Sequence, residues 1–132
     1  IKPLTFMNNS GTAIKELIDY FKIDAKDVFV FHDDMDIDFG KIKAKFGGSS
    51  AGHNGIDSID KFIGKDYSRV RIGIGHPKQK SKVNNHVLED FKEDEEEKIK
   101  EIAENIVKLI PTLIEKKMDL FSSKVNQNLN GI

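Results

Sequence analysis

Val28-Phe29-Val30-Phe31-His32-Asp33-Asp34 is the stretch on which the fold turns. Four consecutive apolar residues are too few for an ordinary helix and suit a strand covered on both faces. Asp24 and Asp27 lead the run, and His32-Asp33-Asp34 follows it without a break. The stretch therefore reads as a central strand with ionisable groups at its carboxyl end. That edge of an open α/β sheet is where ligands usually bind.

On either side the pattern alternates between helix and strand. Upstream, Asn8, Asn9 and Ser10 offer cap oxygens, and Ile14, Leu17, Ile18 and Phe21 follow at helical spacing. Downstream, Ile42, Ala44 and Phe46 alternate with Lys41, Lys43 and Lys45, so a strand there has an apolar face and an ammonium face. Gly47-Gly48-Ser49-Ser50-Ala51-Gly52 reads as a loop, running through His53-Asn54-Gly55 into a helix with Ile56, Ile59, Phe62 and Ile63 inward. Arg69 to Gly75 alternates again, with Val70, Ile72 and Ile74 opposite Arg69, Arg71 and Gly73, and Pro77 ends the strand. A long helix carries Ile99, Ile102, Ile106, Leu109, Ile110 and Leu113 at packing positions. Its acidic start and Lys116-Lys117 end suit the helix dipole, and Pro111 is expected to kink or break it. The tail from Ser122 to Ile132 is expected to fray. The fold class implied is α/β: a single domain over residues 1–132, with a central mixed sheet and helices on both faces.

Composition agrees with a globular chain. The 132 residues are 33% charged and 38% hydrophobic, and no apolar run approaches a membrane span. The absence of cysteine excludes disulfides, thiolate metal sites and Cys nucleophiles. The net charge of −1 hides an asymmetry, because residues 41 to 82 carry ten Lys or Arg against three Asp, a net +7. Such a stretch can meet a polyanion, or be ordinary solvated surface. The opening Ile1-Lys2-Pro3-Leu4-Thr5 has no initiator methionine and no signal-peptide pattern, and it begins inside what reads as a strand. An N-terminally incomplete chain is the expectation.

Three segments hold polar residues that packing does not require. In Pro3-Leu4-Thr5-Phe6-Met7-Asn8-Asn9-Ser10-Gly11 a strand runs into a helix start, where Asn8 or Asn9 can act simply as a cap. His32-Asp33-Asp34-Met35-Asp36 is either an exposed turn or, with its clustered carboxylates, a site for Mg²⁺. The glycine-rich loop before His53-Asn54-Gly55 can cradle phosphate with backbone N–H groups. It matches neither the P-loop nor the dinucleotide-binding fingerprint.

Together and in order, four strings resemble the bacterial-type peptidyl-tRNA hydrolases. They are Lys2-Pro3-Leu4-Thr5-Phe6-Met7-Asn8-Asn9-Ser10-Gly11, His32-Asp33-Asp34-Met35-Asp36, Gly52-His53-Asn54-Gly55-Ile56-Asp57-Ser58-Ile59 and Arg69-Val70-Arg71-Ile72-Gly73-Ile74-Gly75-His76-Pro77. The likeness runs from residue 2 to about residue 120. It departs at the front. Family members open with a strand, a Gly-Asn-Pro-Gly loop and a His-Asn pair whose histidine activates water, and no such segment occurs here. His32, His53, His76 and His86 match other parts of the pattern, so none is assigned as the base.

The resemblance implies hydrolysis, without metal or cofactor, of the ester joining a peptide to the 3′ ribose of tRNA. Asp33 matches the carboxylate that orients the catalytic imidazole, as the aspartate does in a Ser-His-Asp triad. Asn8 matches an amide beside water and ester that steadies the oxyanion. Asn54 matches a second amide that binds peptide backbone or terminal nucleotide. Phe6 and Met7 match the cleft wall, and His53 stands at the start of the helix carrying Asn54. Lys45 and Arg71 match residues that bind tRNA phosphate, with Lys43 on the strand face of Lys45. The implied partner is peptidyl-tRNA held by its acceptor arm, and the implied setting is a cytoplasmic monomer with no membrane contact. Three alternatives stay open: an inactive RNA-binding relative, a truncated piece of an ordinary active enzyme, and a metal-dependent phosphohydrolase built on Asp33, Asp34 and Asp36.

Overall fold

The computed structural model describes residues 9–76 and 93–130. Four α-helices and three strands follow in the order α1 (Ser10–Phe21), β1 (Phe29–Asp34), β2 (Ile42–Phe46), α2 (Asn54–Ile63), β3 (Ser68–Gly73), α3 (Glu93–Ile114) and α4 (Met118–Asn130), with a 3₁₀ turn at Ala25–Asp27. The sheet order is β1-β3-β2. β3 runs parallel to β1, since Ser68 donates to the Val28 carbonyl and Ile74 to the Asp34 carbonyl, each at 3.0 Å. It runs antiparallel to β2, with Gly73 N–H on the Lys41 carbonyl at 2.8 Å and Gly47 N–H on the Tyr67 carbonyl at 2.9 Å. The expected mixed sheet is therefore present. Among the described residues β3 is the inner strand, flanked by β1 and β2. β1 is half-buried along its length apart from Phe31, which is exposed.

The described residues gather into two compact units, one made of 9–30 and 45–69, the other of 31–44, 70–76 and 93–130. In the first, Ile56, Ile59 and Tyr67 form a buried cluster against which Ile14, Val28, Val30 and Ile63 pack. α1 and α2 approach closely at Gly11. Its N–H donates to Ser58 Oγ at 2.9 Å, and a β-carbon there would overlap the Ser58 carbonyl. Ser58 thus satisfies one of the amides that a helix start leaves unpaired, while the cap residue Asn9 makes no side-chain bond. Phe62, expected inward, is exposed, as is Phe21. Phe21 ends α1 where Lys22 turns left-handed (φ 55°), and the Phe62 ring lies over Gly11 rather than in the cluster.

In the second unit, α4 closes the free edge of β2. Asn126 exchanges two hydrogen bonds with the Ile42 backbone, both at 2.9 Å, and Ser122 Oγ accepts from Ala44 N–H at 2.8 Å. These side chains meet the edge amides as a neighbouring strand would, which blunts an otherwise adhesive edge. Phe121 and Val125 of α4 are fully buried, and α3, whose Ile102, Ile106 and Leu113 are buried, packs on α4. The fraying expected from Ser122 onward is therefore wrong as far as Asn130, because Phe121 and Val125 anchor the helix; residues 131 and 132 lie outside the described part. The break expected at Pro111 is also displaced. α3 continues through it to Ile114 and ends at Lys116 (φ 63°), whose N–H donates to Leu113 while Lys117 N–H reaches Thr112. The proline forgoes one bond, to the carbonyl of Val107, and that residue is on the solvent side where water can replace the donor.

Candidate functional site

The carboxyl end of β1 brings together more charge than its sequence announces. Asp33 and Asp34 face opposite sides of the strand, both partly buried as residues. Asp34 Oδ2 accepts from both Nε and Nη2 of Arg71 at 2.7 Å, and its Oδ1 accepts from Asp36 N–H at 2.8 Å. The Asp34 side chain is 8% exposed and that of Arg71 27%. Asp36 in turn meets His76 Nε2 at 2.7 Å on the surface. His32 Nδ1 lies 2.9 Å from the Asp33 carbonyl oxygen. The turn between β1 and β2 is folded against β3 at Gly73, where a β-carbon would collide with the Asp38 carbonyl and lie 2.7 Å from Ile37 Cγ2. That close approach fixes the turn and keeps Asp34 beside Arg71.

The three carboxylates weighed as a magnesium site do not converge. Asp34 serves Arg71 and the Asp36 amide, Asp36 serves His76, and no group of acidic or histidine ligands among the described residues is arranged to hold a metal. Lys43 is an exposed residue of β2, as its alternation requires.

In the other unit, His53 is the N-cap of α2. Its Nδ1 accepts from Ile56 N–H at 3.2 Å, so that nitrogen is unprotonated and the ring is the Nε2–H tautomer. Asn54 is the first residue of the helix and is exposed, and Lys45 is an exposed residue of β2. The preceding loop does not offer the amide cradle expected of it. Ala51 and Gly52 N–H donate to the hydroxyls of Ser49 and Ser50, and His53 N–H donates to the Ser50 carbonyl. Ser50 Oγ itself donates to Asp57. These amides hold the loop closed on itself.

Arg69, one of the two arginines that alternation sets on one face of β3, is not a surface cation. Its guanidinium is buried, with Nη2 on Asp60 Oδ1 at 2.8 Å and Nη1 on the Gly48 carbonyl at 2.7 Å. It lies 4.6 Å from the centre of the Tyr67 ring, whose hydroxyl donates to the same Asp60 oxygen at 2.7 Å. Burial, reinforced by that bond to Asp60, pushes the Tyr67 phenol well above its ordinary value. Alternation alone cannot separate Arg69 from Arg71; the signal would have been Asp60, nine residues away on α2. Phe6, Met7, Asn8 and His86 lie outside the described residues.

The family model for peptidyl-tRNA hydrolase matches residues 1–131. The chain belongs to the peptidyl-tRNA hydrolase family. A peptidyl-tRNA hydrolase of Pelagibacter ubique is 71% identical over 126 residues, covering 96% of this chain and 68% of that protein. One from Aliarcobacter butzleri is 47% identical, covering 93% of this chain and 67% of its own length. A crystal structure of peptidyl-tRNA hydrolase from Acinetobacter baumannii superposes with a TM-score of 0.82 at 31% identity, covering 94% of this chain and 63% of that one. The chain thus spans about two thirds of the length of these family members, with the family's α/β architecture. No helix among the described residues is long and apolar enough to cross a membrane.

Proposed function

We propose that the protein hydrolyses the ester between peptide and tRNA in peptidyl-tRNA and so returns tRNA from stalled translation. The observation that best supports this is the half-buried Asp33 at the carboxyl end of β1, in a chain of this family. In this reading Asp33 orients the imidazole that takes a proton from the attacking water, and stabilises the imidazolium. The Asn8 amide steadies the oxyanion, and Asn54, carried on the helix that His53 caps, binds peptide backbone or terminal nucleotide. Phe6 and Met7 wall the cleft, and Lys43, Lys45 and Arg71 bind phosphates of the acceptor arm. The protein works as a cytoplasmic monomer, without metal, over one domain.

The base itself has no match among these 132 residues. Residues 1–132 alone are therefore expected to bind tRNA and not to turn it over. Release of N-acetyl-aminoacyl product at the rate of a family member would contradict the assignment of the base. In a version extended with the family's opening segment and its histidine, turnover is expected. There Asp33→Asn lowers turnover by about 10² to 10⁴-fold, the ordinary range for general-base catalysis, with tRNA binding little changed. Equal loss of binding and turnover would make Asp33 structural. Retained tRNA binding with no turnover in the extended version would favour an inactive RNA-binding relative.

A further inference from the structure

The Arg71 guanidinium has five N–H groups, and the structure accounts for two of them. Nε and Nη2 both donate to one oxygen, Asp34 Oδ2, at 2.7 Å. Nη1 makes no hydrogen bond among the described residues and is not a buried unsatisfied atom, so it reaches solvent. The carboxylate that holds this edge is itself fixed. Asp34 Oδ1 is tied to the Asp36 amide and the side chain is 8% exposed. An arginine on a surface strand ordinarily samples many rotamers; this one is clamped along one edge and left open on another. Phosphate is recognised by arginine through a planar fork of two parallel N–H bonds, which a point-charge lysine cannot reproduce.

We infer that Asp34 is a positioning residue: it holds the Arg71 guanidinium so that its free edge presents a preformed fork to a tRNA phosphate. The inference rests on the proposed role of Arg71 in tRNA binding and adds a second residue to it. It also changes what kind of contact Arg71 makes. A cation already paired with a carboxylate contributes little to net charge, so Arg71 acts by hydrogen-bond geometry more than by long-range attraction. Lys43 and Lys45, exposed on β2, supply the general charge. The competing possibility is that Asp34 merely sequesters Arg71 and competes with phosphate for it.

A cycle of Arg71→Lys in wild-type and Asp34→Ala backgrounds separates these, read as binding of uncharged tRNA across a salt series. With Asp34 present, Arg71→Lys is expected to weaken binding about tenfold, the scale of one charge-assisted hydrogen bond. With Asp34→Ala, the arginine loses its clamp, binding is already weakened, and Arg71→Lys changes it less than about twofold. The same arginine-to-lysine ratio in both backgrounds would overturn the positioning role, as would tighter binding in Asp34→Ala alone. If Arg71→Ala leaves binding unchanged, the phosphate contact itself fails, a separate outcome. Should Asp34→Ala fail to fold by circular dichroism, Asp34→Asn keeps one acceptor oxygen while removing the charge. The arginine-to-lysine ratio is then expected to fall between the two backgrounds, and a wild-type ratio there would equally overturn the inference.

Discussion

Replacing Asp60 with alanine is expected to destabilise the fold by about 3 to 5 kcal/mol, the usual effect of removing one member of a buried ion pair. The structure says why the figure belongs here. The side chains of Arg69 and Asp60 are 3% and 10% exposed, and a single oxygen of Asp60 receives both the guanidinium and the Tyr67 hydroxyl. Its loss leaves a buried cation and an unpaired buried hydroxyl, the latter alone worth about 1 to 3 kcal/mol. The Gly48 carbonyl and the face of Tyr67 remain to Arg69, and a ring contact returns about 0.5 to 2 kcal/mol. Arg69 Nε is already buried without a partner, so the guanidinium has no slack to absorb the loss. Urea unfolding followed by circular dichroism measures the change. The control is the double variant Asp60→Leu with Arg69→Met, which removes both charges and is expected to lie nearer the wild type than either single change. A loss below about 1 kcal/mol in Asp60→Ala would refute the reasoning, because a solvated pair gives no more than that. A double variant as unstable as the singles would shift the weight from charge to the tether that Arg69 makes to Gly48.

Three further outcomes are open to measurement. Burial keeps Tyr67 protonated in the fold beyond the ordinary tyrosine value of about 10, so above about pH 10 the native state holds a proton the unfolded chain releases. Stability is therefore unaffected below that pH and falls above it, by at most about 1.4 kcal/mol per unit, and Tyr67→Phe removes this fall; tyrosinate absorbance from Tyr67 in the still-folded protein near pH 10 would contradict it. Gly11→Ala forces α1 away from α2 at the Ser58 carbonyl and is expected to lower stability by about 1 to 3 kcal/mol, whereas Thr12→Ala on the exposed side of the same turn changes it little. Lys116→Gly relieves a left-handed residue at φ 63° and should raise stability by up to about 1 kcal/mol, an unchanged urea midpoint counting against it.

Much of the fold could be read from one-dimensional periodicity. Alternation found β2 and β3, and helical spacing found the buried stripe Ile102, Ile106 and Leu113. What could not be read depends on which element neighbours which. The order β1-β3-β2 among the described strands is encoded by no local pattern. The same holds for the two arginines of β3. They are two residues apart on one strand face, yet Arg69 meets Asp60 of α2 and Arg71 meets Asp34 of β1. One is a structural cation sealed under a glycine loop, and the other keeps an open edge.

That division bears on how the basic stretch of residues 41 to 82 is to be weighed. Its net +7 counts every cation equally, but Arg69 is neutralised in the interior by Asp60, one of the three acids in the count, and Arg71 is held by Asp34, which lies outside the stretch. The attraction that a polyanion feels at a distance is thus left chiefly to lysines such as Lys43 and Lys45, exposed on β2. Affinity and positioning then separate by residue type. On the proposed site, the lysines would govern the salt dependence of binding, and the clamped Arg71 would govern where a phosphate comes to rest. An enzyme that must accept many tRNAs and still set one ester against one carboxylate needs both properties. In the proposed site, dividing them between exposed ammonium groups and a guanidinium held by its neighbour would provide both without any contact to a base.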